Sequence, residues 1–151
     1  MAVKIGDVIP DFIAKDTNGN DFDSKKIVGQ KPLVLYFYPK DNTPGCTAQA
    51  CSFRDQYEDF KDLGAEVIGI SSDSITSHQK FAQQYKLPFI LLSDQDKKIR
   101  NLFGVPTGMF GLIPGRVTYV TDKKGVVTMI FDSMMATNHI SKALAAIQKL
   151  K

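Results

Sequence analysis

Hydrophobic positions fall into short blocks whose period changes along the chain. Residues 32–38 (Pro-Leu-Val-Leu-Tyr-Phe-Tyr) form an unbroken apolar and aromatic run closed by Pro39, the pattern of a strand covered on both faces. Residues 66–71 (Glu-Val-Ile-Gly-Ile-Ser) predict a second buried strand and residues 89–92 a third. Between these runs the spacing turns helical. Phe53, Tyr57 and Phe60, spaced by four and three, predict a helix from about Thr43 to Leu63. Residues 74–85 predict another, and residues 95–103 a short one. Near the start, residues 11–14 and 21–22 flank Thr17-Asn18-Gly19-Asn20, which predicts two short strands around an Asn-Gly turn. Near the end, residues 116–120 and 126–131 bracket Asp122-Lys123-Lys124-Gly125, a hairpin signal. A closing amphipathic helix runs from Asn138, as N-cap, to Leu150, with Ile140, Leu144 and Ile147 along one side.

Strands alternating with helices, then a hairpin and a last helix, predict an α/β domain: a central mixed β-sheet with helices on both faces. Right-handed crossovers narrow the topology further. The chain has 151 residues, which suits one domain over 1–151 with a substantial core. A net charge of +3 with scattered lysines makes nucleic acid a poor candidate partner. No apolar run approaches the ~18 residues of a membrane span. The start carries no signal or transit pattern, so the expected location is the cytoplasm, or a plastid if a transit peptide has been removed before Met1.

Two cysteines, Cys46 and Cys51, are too few for a disulfide scaffold or a four-cysteine zinc module. Their placement carries more information. Residues 39–51 follow the first buried strand, where open α/β sheets hold their ligands. Thr43 suits an N-cap and Pro44 the first helical position. Cys46 then lies in the first helical turn, beside unpaired amides and the positive end of the helix dipole, where the nucleophilic thiolate is favoured. Small Gly45 leaves backbone amides accessible. The bland alternative for Cys46 is a small buried hydrophobe. Cys51 weighs against it. Five residues of helix separate the two Cα atoms by ~8–9 Å, beyond the ~7 Å limit for a disulfide. The pair can bond only if the first turns unwind, which Pro44, Gly45 and β-branched Thr47 make easier. One reactive cysteine and one able to trap it are the elements of a redox cycle.

The motif Pro39-x-x-x-Thr43-x-x-Cys46 after an aromatic strand resembles the active-site motif of peroxiredoxins, which implies a thioredoxin-like fold. The four-residue gap to Cys51, the segment Ser52-Phe53-Arg54-Asp55, and the later Leu92-Ser93-Asp94 and Phe103-Gly104-Val105 resemble the bacterioferritin-comigratory-protein or peroxiredoxin Q branch. The similarity extends from Gly6-Asp7-x-x-Pro10-Asp11-Phe12 to the last helix, and Arg116 matches the arginine that the family places beside its cysteine. The resemblance implies a thiol peroxidase for hydrogen peroxide and organic hydroperoxides. It implies that Cys46 attacks the peroxide and that the Thr43 hydroxyl bridges sulfur and substrate. By the same resemblance, amides of Gly45 and Cys46 would donate to the peroxide oxygens, Arg116 would stabilise the charge, and Pro39 would exclude water. The resemblance further implies a Cys46–Cys51 disulfide, reduced by thioredoxin or a similar dithiol protein. No metal or other cofactor is called for, and a monomer or weak dimer is expected. A protein thiol–disulfide oxidoreductase is the runner-up, disfavoured because such enzymes use Cys-x-x-Cys. A non-catalytic thioredoxin-like binding module is the third reading.

Other residues add little at this level. His78 and His139 lack ligand-spaced partners and suit surface or capping positions. Arg54 reads as a site residue or a partner in a structural ion pair, and Arg100 as a solvated helix residue. Residues 109–114 form an apolar loop ahead of Arg116, either packing over the core or rimming the site. Met134 and Met135 carry the same ambiguity, and Lys123-Lys124 is an ordinary turn pair.

Overall fold

The computed structural model describes residues 2–105, 107–108 and 113–150. Strand β1 (Ile13–Lys15) pairs antiparallel with β2 (Asp21–Asp23) across the expected turn. Strand β3 (Leu33–Phe37) is buried at every position. It leads into helices α1 (Pro44–Asp55) and α2 (Tyr57–Asp62), then β4 (Glu66–Ser71), α3 (Ile75–Tyr85), β5 (Ile90–Ser93) and α4 (Lys98–Phe103). Two-residue strands β6 (Thr107–Gly108) and β7 (Ile113–Pro114) pair with each other. Strands β8 (Val117–Thr121) and β9 (Val127–Asp132) form the hairpin, and α5 (His139–Gln148) closes the chain.

Seven strands make one mixed sheet in the order β2-β1-β5-β4-β3-β8-β9. Strands β3, β4 and β5 run parallel, with β8 antiparallel against β3. The period-2 geometry of β3 divides its side chains between two cores. Val34, Tyr36 and Tyr38 face a core shared with Cys46, Phe53, Phe81 and Ile147, from α1, α3 and α5. Leu33, Leu35 and Phe37 face Ile99 and Phe103 of α4, together with Phe12. Helices therefore cover both faces, as the doubly apolar run of β3 requires.

Three local expectations differ from the structure. The helix expected from Thr43 to Leu63 breaks at Gln56 (φ −109°, ψ 10°) into α1 and α2. The apolar rows of both pieces face the same core, so the spacing of Phe53, Tyr57 and Phe60 runs through the break unaltered. Thr43 and Asn138 hold the N-cap positions, yet neither side chain caps its helix. Asn138 has a positive φ of 73°, whereas a capping side chain needs extended backbone. Residues 109–112 of the apolar loop lie outside the described residues.

Candidate active site

Sheet register assembles the site. Strands β3 and β8 pair Phe37 with Val117, so Arg116, one residue earlier, stands at the carboxyl end of β3. Half-buried Pro39 follows that end, Asn42 turns the chain with φ 61°, and Thr43 enters α1 in extended conformation (φ −93°, ψ 152°). Thr47 N–H makes the first helical bond, to the Thr43 carbonyl at 2.8 Å. The amides of Gly45 and Cys46 precede that bond and are the unpaired donors of the helix start.

Cys46 is 1% exposed and Arg116 5% exposed. Arg116 uses its guanidinium in three directions. Nη2 donates to Cys46 Sγ at 3.4 Å, Nη1 to Gln49 Oε1, and Nε to the Met134 carbonyl at 2.9 Å. A cation fixed against a buried sulfur stabilises the thiolate and any charge developing on an attacked oxygen. Gly45 has a steric role besides exposing its amide: a Cβ there would stand 3.0 Å from Arg116 Nη2. The half-buried Thr43 donates its hydroxyl to the Lys40 carbonyl at 2.9 Å, so its oxygen faces other groups as an acceptor. Cys51 is half-buried on α1, and both cysteines are unbonded. Helix α1 is continuous through both positions, which keeps their Cα atoms ~8–9 Å apart.

Gln49 was absent from the expected set, although three residues beyond Cys46 is the spacing that shares a helix face. It is 1% exposed, and its Nε2 has no partner among the described residues. Arg54 resolves to the structural alternative, donating to Asp55 at 3.0 Å and to the Tyr85 carbonyl at 2.8 Å. Arg100 is not solvated. It is 5% exposed, donating to the carbonyls of Gly115 at 2.9 Å and Tyr38 at 3.0 Å. It thus ties both strand ends that carry the site, and burial lowers its pKa.

Both histidines are buried, which corrects their expected surface placement. Nε2 of His139 lies 2.9 Å from the Ser133 carbonyl, and Nδ1 lies 2.8 Å from Thr118 Oγ1. A carbonyl can only accept, so Nε2 donates and Nδ1 accepts a hydrogen bond from the Thr118 hydroxyl. Burial is the main reason its pKa is lowered. His78 lies against Asp41, and with Asp73 they bring three ligand-type atoms within 4.8 Å of one another. Sequence spacing did not reveal this group, because its members come from the β3–α1 loop, the β4–α3 loop and α3.

The AhpC/TSA family matches residues 5–130. With the mixed sheet, that match makes the protein a thioredoxin-like thiol peroxidase. The chain is 54% identical over 149 residues to peroxiredoxin Q, chloroplastic, of Triticum aestivum, covering 98% of this chain and 68% of that one. The crystal structure of peroxidoxin BcpB from Mycobacterium tuberculosis superposes with a TM-score of 0.90 at 34% identity, over 99% of both chains. Peroxiredoxin Q of Xanthomonas campestris gives 0.83 at 30% identity, over 91% of this chain and 90% of that one. The chain belongs to the AhpC/TSA family, in its peroxiredoxin Q branch. It is a peroxidase and an oxidoreductase, which sets aside the binding-module and protein-oxidoreductase readings. No helix among the described residues is long and apolar enough to cross a membrane.

Proposed function

We propose that residues 1–151 act as one domain in which Cys46 is the peroxide-attacking cysteine and Cys51 the cysteine that resolves it. The thiolate of Cys46 attacks one oxygen of a hydroperoxide in line with the O–O bond. That bond breaks, the sulfur becomes sulfenic acid, and the departing oxygen takes a proton to leave as water or an alcohol. Arg116 and the amides of Gly45 and Cys46 stabilise the charge that moves onto the oxygens. The Thr43 hydroxyl oxygen, with its own proton directed to the Lys40 carbonyl, accepts a hydrogen bond from the bound peroxide. Pro39 limits access of water. Cys51 sulfur then attacks the sulfenic sulfur, the S–O bond breaks and water leaves. Two electrons from a dithiol protein, thioredoxin or a close equivalent, reopen the disulfide. This chemistry is complete in one chain, consistent with a monomer.

The observation that carries this reading is the 3.4 Å contact from Arg116 Nη2 to a buried Cys46 sulfur at a helix start. Stopped-flow mixing with hydrogen peroxide tests it. Cys46→Ser abolishes peroxide consumption, whereas Cys51→Ser completes one oxidation and stalls during turnover with thioredoxin. Full activity in Cys46→Ser overturns the assignment. The name of the Triticum aestivum relative favours a plastid over the cytoplasm, and fractionation of the tagged protein in its own cells tests that.

A further inference from the structure

Asp41, 5% exposed, lies in the β3–α1 loop five residues before Cys46. Its Oδ1 accepts the Tyr38 hydroxyl at 2.6 Å, while Oδ2 accepts the Ser77 hydroxyl at 2.8 Å and faces His78 Nδ1 at 2.7 Å. Its backbone N–H donates to Asp73 Oδ2 at 2.8 Å, and Asp73 takes the Ser71 hydroxyl at 2.6 Å. The ring of His78, 1% exposed, is pinned on its other side as Nε2 donates to the Leu92 carbonyl at 3.0 Å. One loop residue is thereby bonded to Tyr38 just past β3, to the β4–α3 loop and to α3, and through His78 to β5. Hydroxyl, amide and ring contacts already fill the positions around these ligand atoms, so the group is a hydrogen-bonded junction.

The position of this junction matters because α1 must partly unwind before Cys46 reaches Cys51. Immediately after Asp41 the chain turns at Asn42 and enters the weak first turn Pro44-Gly45-Cys46. Asp41, just before that turn, is held by buried and part-buried bonds, while Gly45, Thr47 and Cys51 on α1 are half-buried. We propose that the Asp41–His78 pair is a fixed post at which unwinding of α1 stops. It is a positioning pair that sets how Cys46 divides between the Arg116 site and the form that bonds Cys51. This rests on the assignment of Cys51 as the resolving cysteine. By holding the loop, the pair favours the peroxide-reactive form, speeds the first oxidation, and slows departure of the sulfenic acid toward Cys51.

Single-turnover stopped flow separates sulfenic acid formation from disulfide closure, and intact mass spectrometry reports sulfinic acid. In Asp41→Asn and His78→Gln, oxidation of Cys46 is expected to slow about tenfold, the size set by losing one buried charge-assisted hydrogen bond. Disulfide closure is expected to become faster than in the wild type, and more peroxide is needed to trap Cys46 as sulfinic acid. Ser77→Ala removes one donor at a half-buried site and is expected to shift the partition the same way by less, which covers failure of Asp41→Asn to fold. Both steps unchanged, or both slowed in proportion, overturn the proposal, since a merely structural role leaves the partition intact. A wild type that forms no Cys46–Cys51 disulfide overturns the resolving assignment as well. A wild type that closes normally, with variants of wild-type partition, overturns only the role of the pair.

Discussion

Nη2 of Arg116 lies 3.4 Å from the sulfur of Cys46, seventy positions away in the chain. Nothing local brings them together. The antiparallel register of β3 and β8 does so, and the Gln49 and Met134 bonds then hold the guanidinium on the sulfur.

That three-way clamp sets the expected behaviour of Arg116 and Gln49 variants. Arg116→Ala removes the cation and is expected to slow the first oxidation about 10²–10³-fold, the usual scale for losing an electrostatic stabiliser. Arg116→Lys retains a charge but cannot donate in three fixed directions, and is expected to remain well below wild type. Gln49→Ala leaves the cation and frees one arm, so a loss of about tenfold is expected. Single-turnover rates with hydrogen peroxide check all three, and an unchanged rate in Arg116→Ala removes that residue from the mechanism.

Gly45→Ala separates stability from activity. Alanine in a helix interior is worth about 1 kcal/mol over glycine, the most that α1 gains at this first-turn position. The added Cβ meets Arg116 Nη2 at 3.0 Å, and the clamped guanidinium has little room to yield. A slower first oxidation is expected with no rise in Tm, because strain against the clamped guanidinium offsets the helix gain. Calorimetry and stopped flow on one preparation decide it.

Arg100→Met tests the buried arginine. The methionine fills comparable space over the Phe37 ring, which Arg100 approaches at 5.6 Å. It leaves the carbonyls of Tyr38 and Gly115 unpaired. A loss of about 2–4 kcal/mol in urea unfolding is expected from two charge-assisted bonds. Because Gly115 adjoins Arg116, a slower oxidation accompanies it.

His139 gives the acid limb of stability a defined sign. Its folded pKa is lowered, chiefly by burial, so below the ordinary value of about 6.5 the unfolded chain binds the proton first. Its contribution is fully present above about pH 6.5 and is lost as pH falls from there through the lower folded value. The steepening of wild-type unfolding free energy across that window is expected to flatten in His139→Gln. Urea titrations at a series of pH values measure the difference, and parallel curves for the two proteins refute it.

The elements were legible wherever one physical cause dominated. Strand β4 appears at its expected residues, and α3 begins one residue after Ser74, whose side chain caps Ser77 N–H at 3.1 Å. The break at Gln56 was not legible, because a local change of ψ leaves the apolar face of Phe53, Tyr57 and Phe60 where a continuous helix would put it. The polar core residues were the least legible. Arg100 and His78 look like solvated helix residues by type, yet each faces acceptors from distant segments, Tyr38 and Gly115 for one, Asp41 and Leu92 for the other.

By itself the sequence determined the sheet with helices on both faces, the helix start that carries Cys46, and a spacing to Cys51 that forbids a bond while α1 is intact. These follow from periodicity, capping preference and helical rise, which act over a few residues. The tertiary structure decided what surrounds the sulfur. Arg116, Gln49 and the Met134 carbonyl converge through strand register, and Asp41 meets His78 through the packing of α3 beside the β3–α1 loop. Those contacts span 18 to 70 positions and depend on closure of the whole sheet, so no local pattern along the chain can record them.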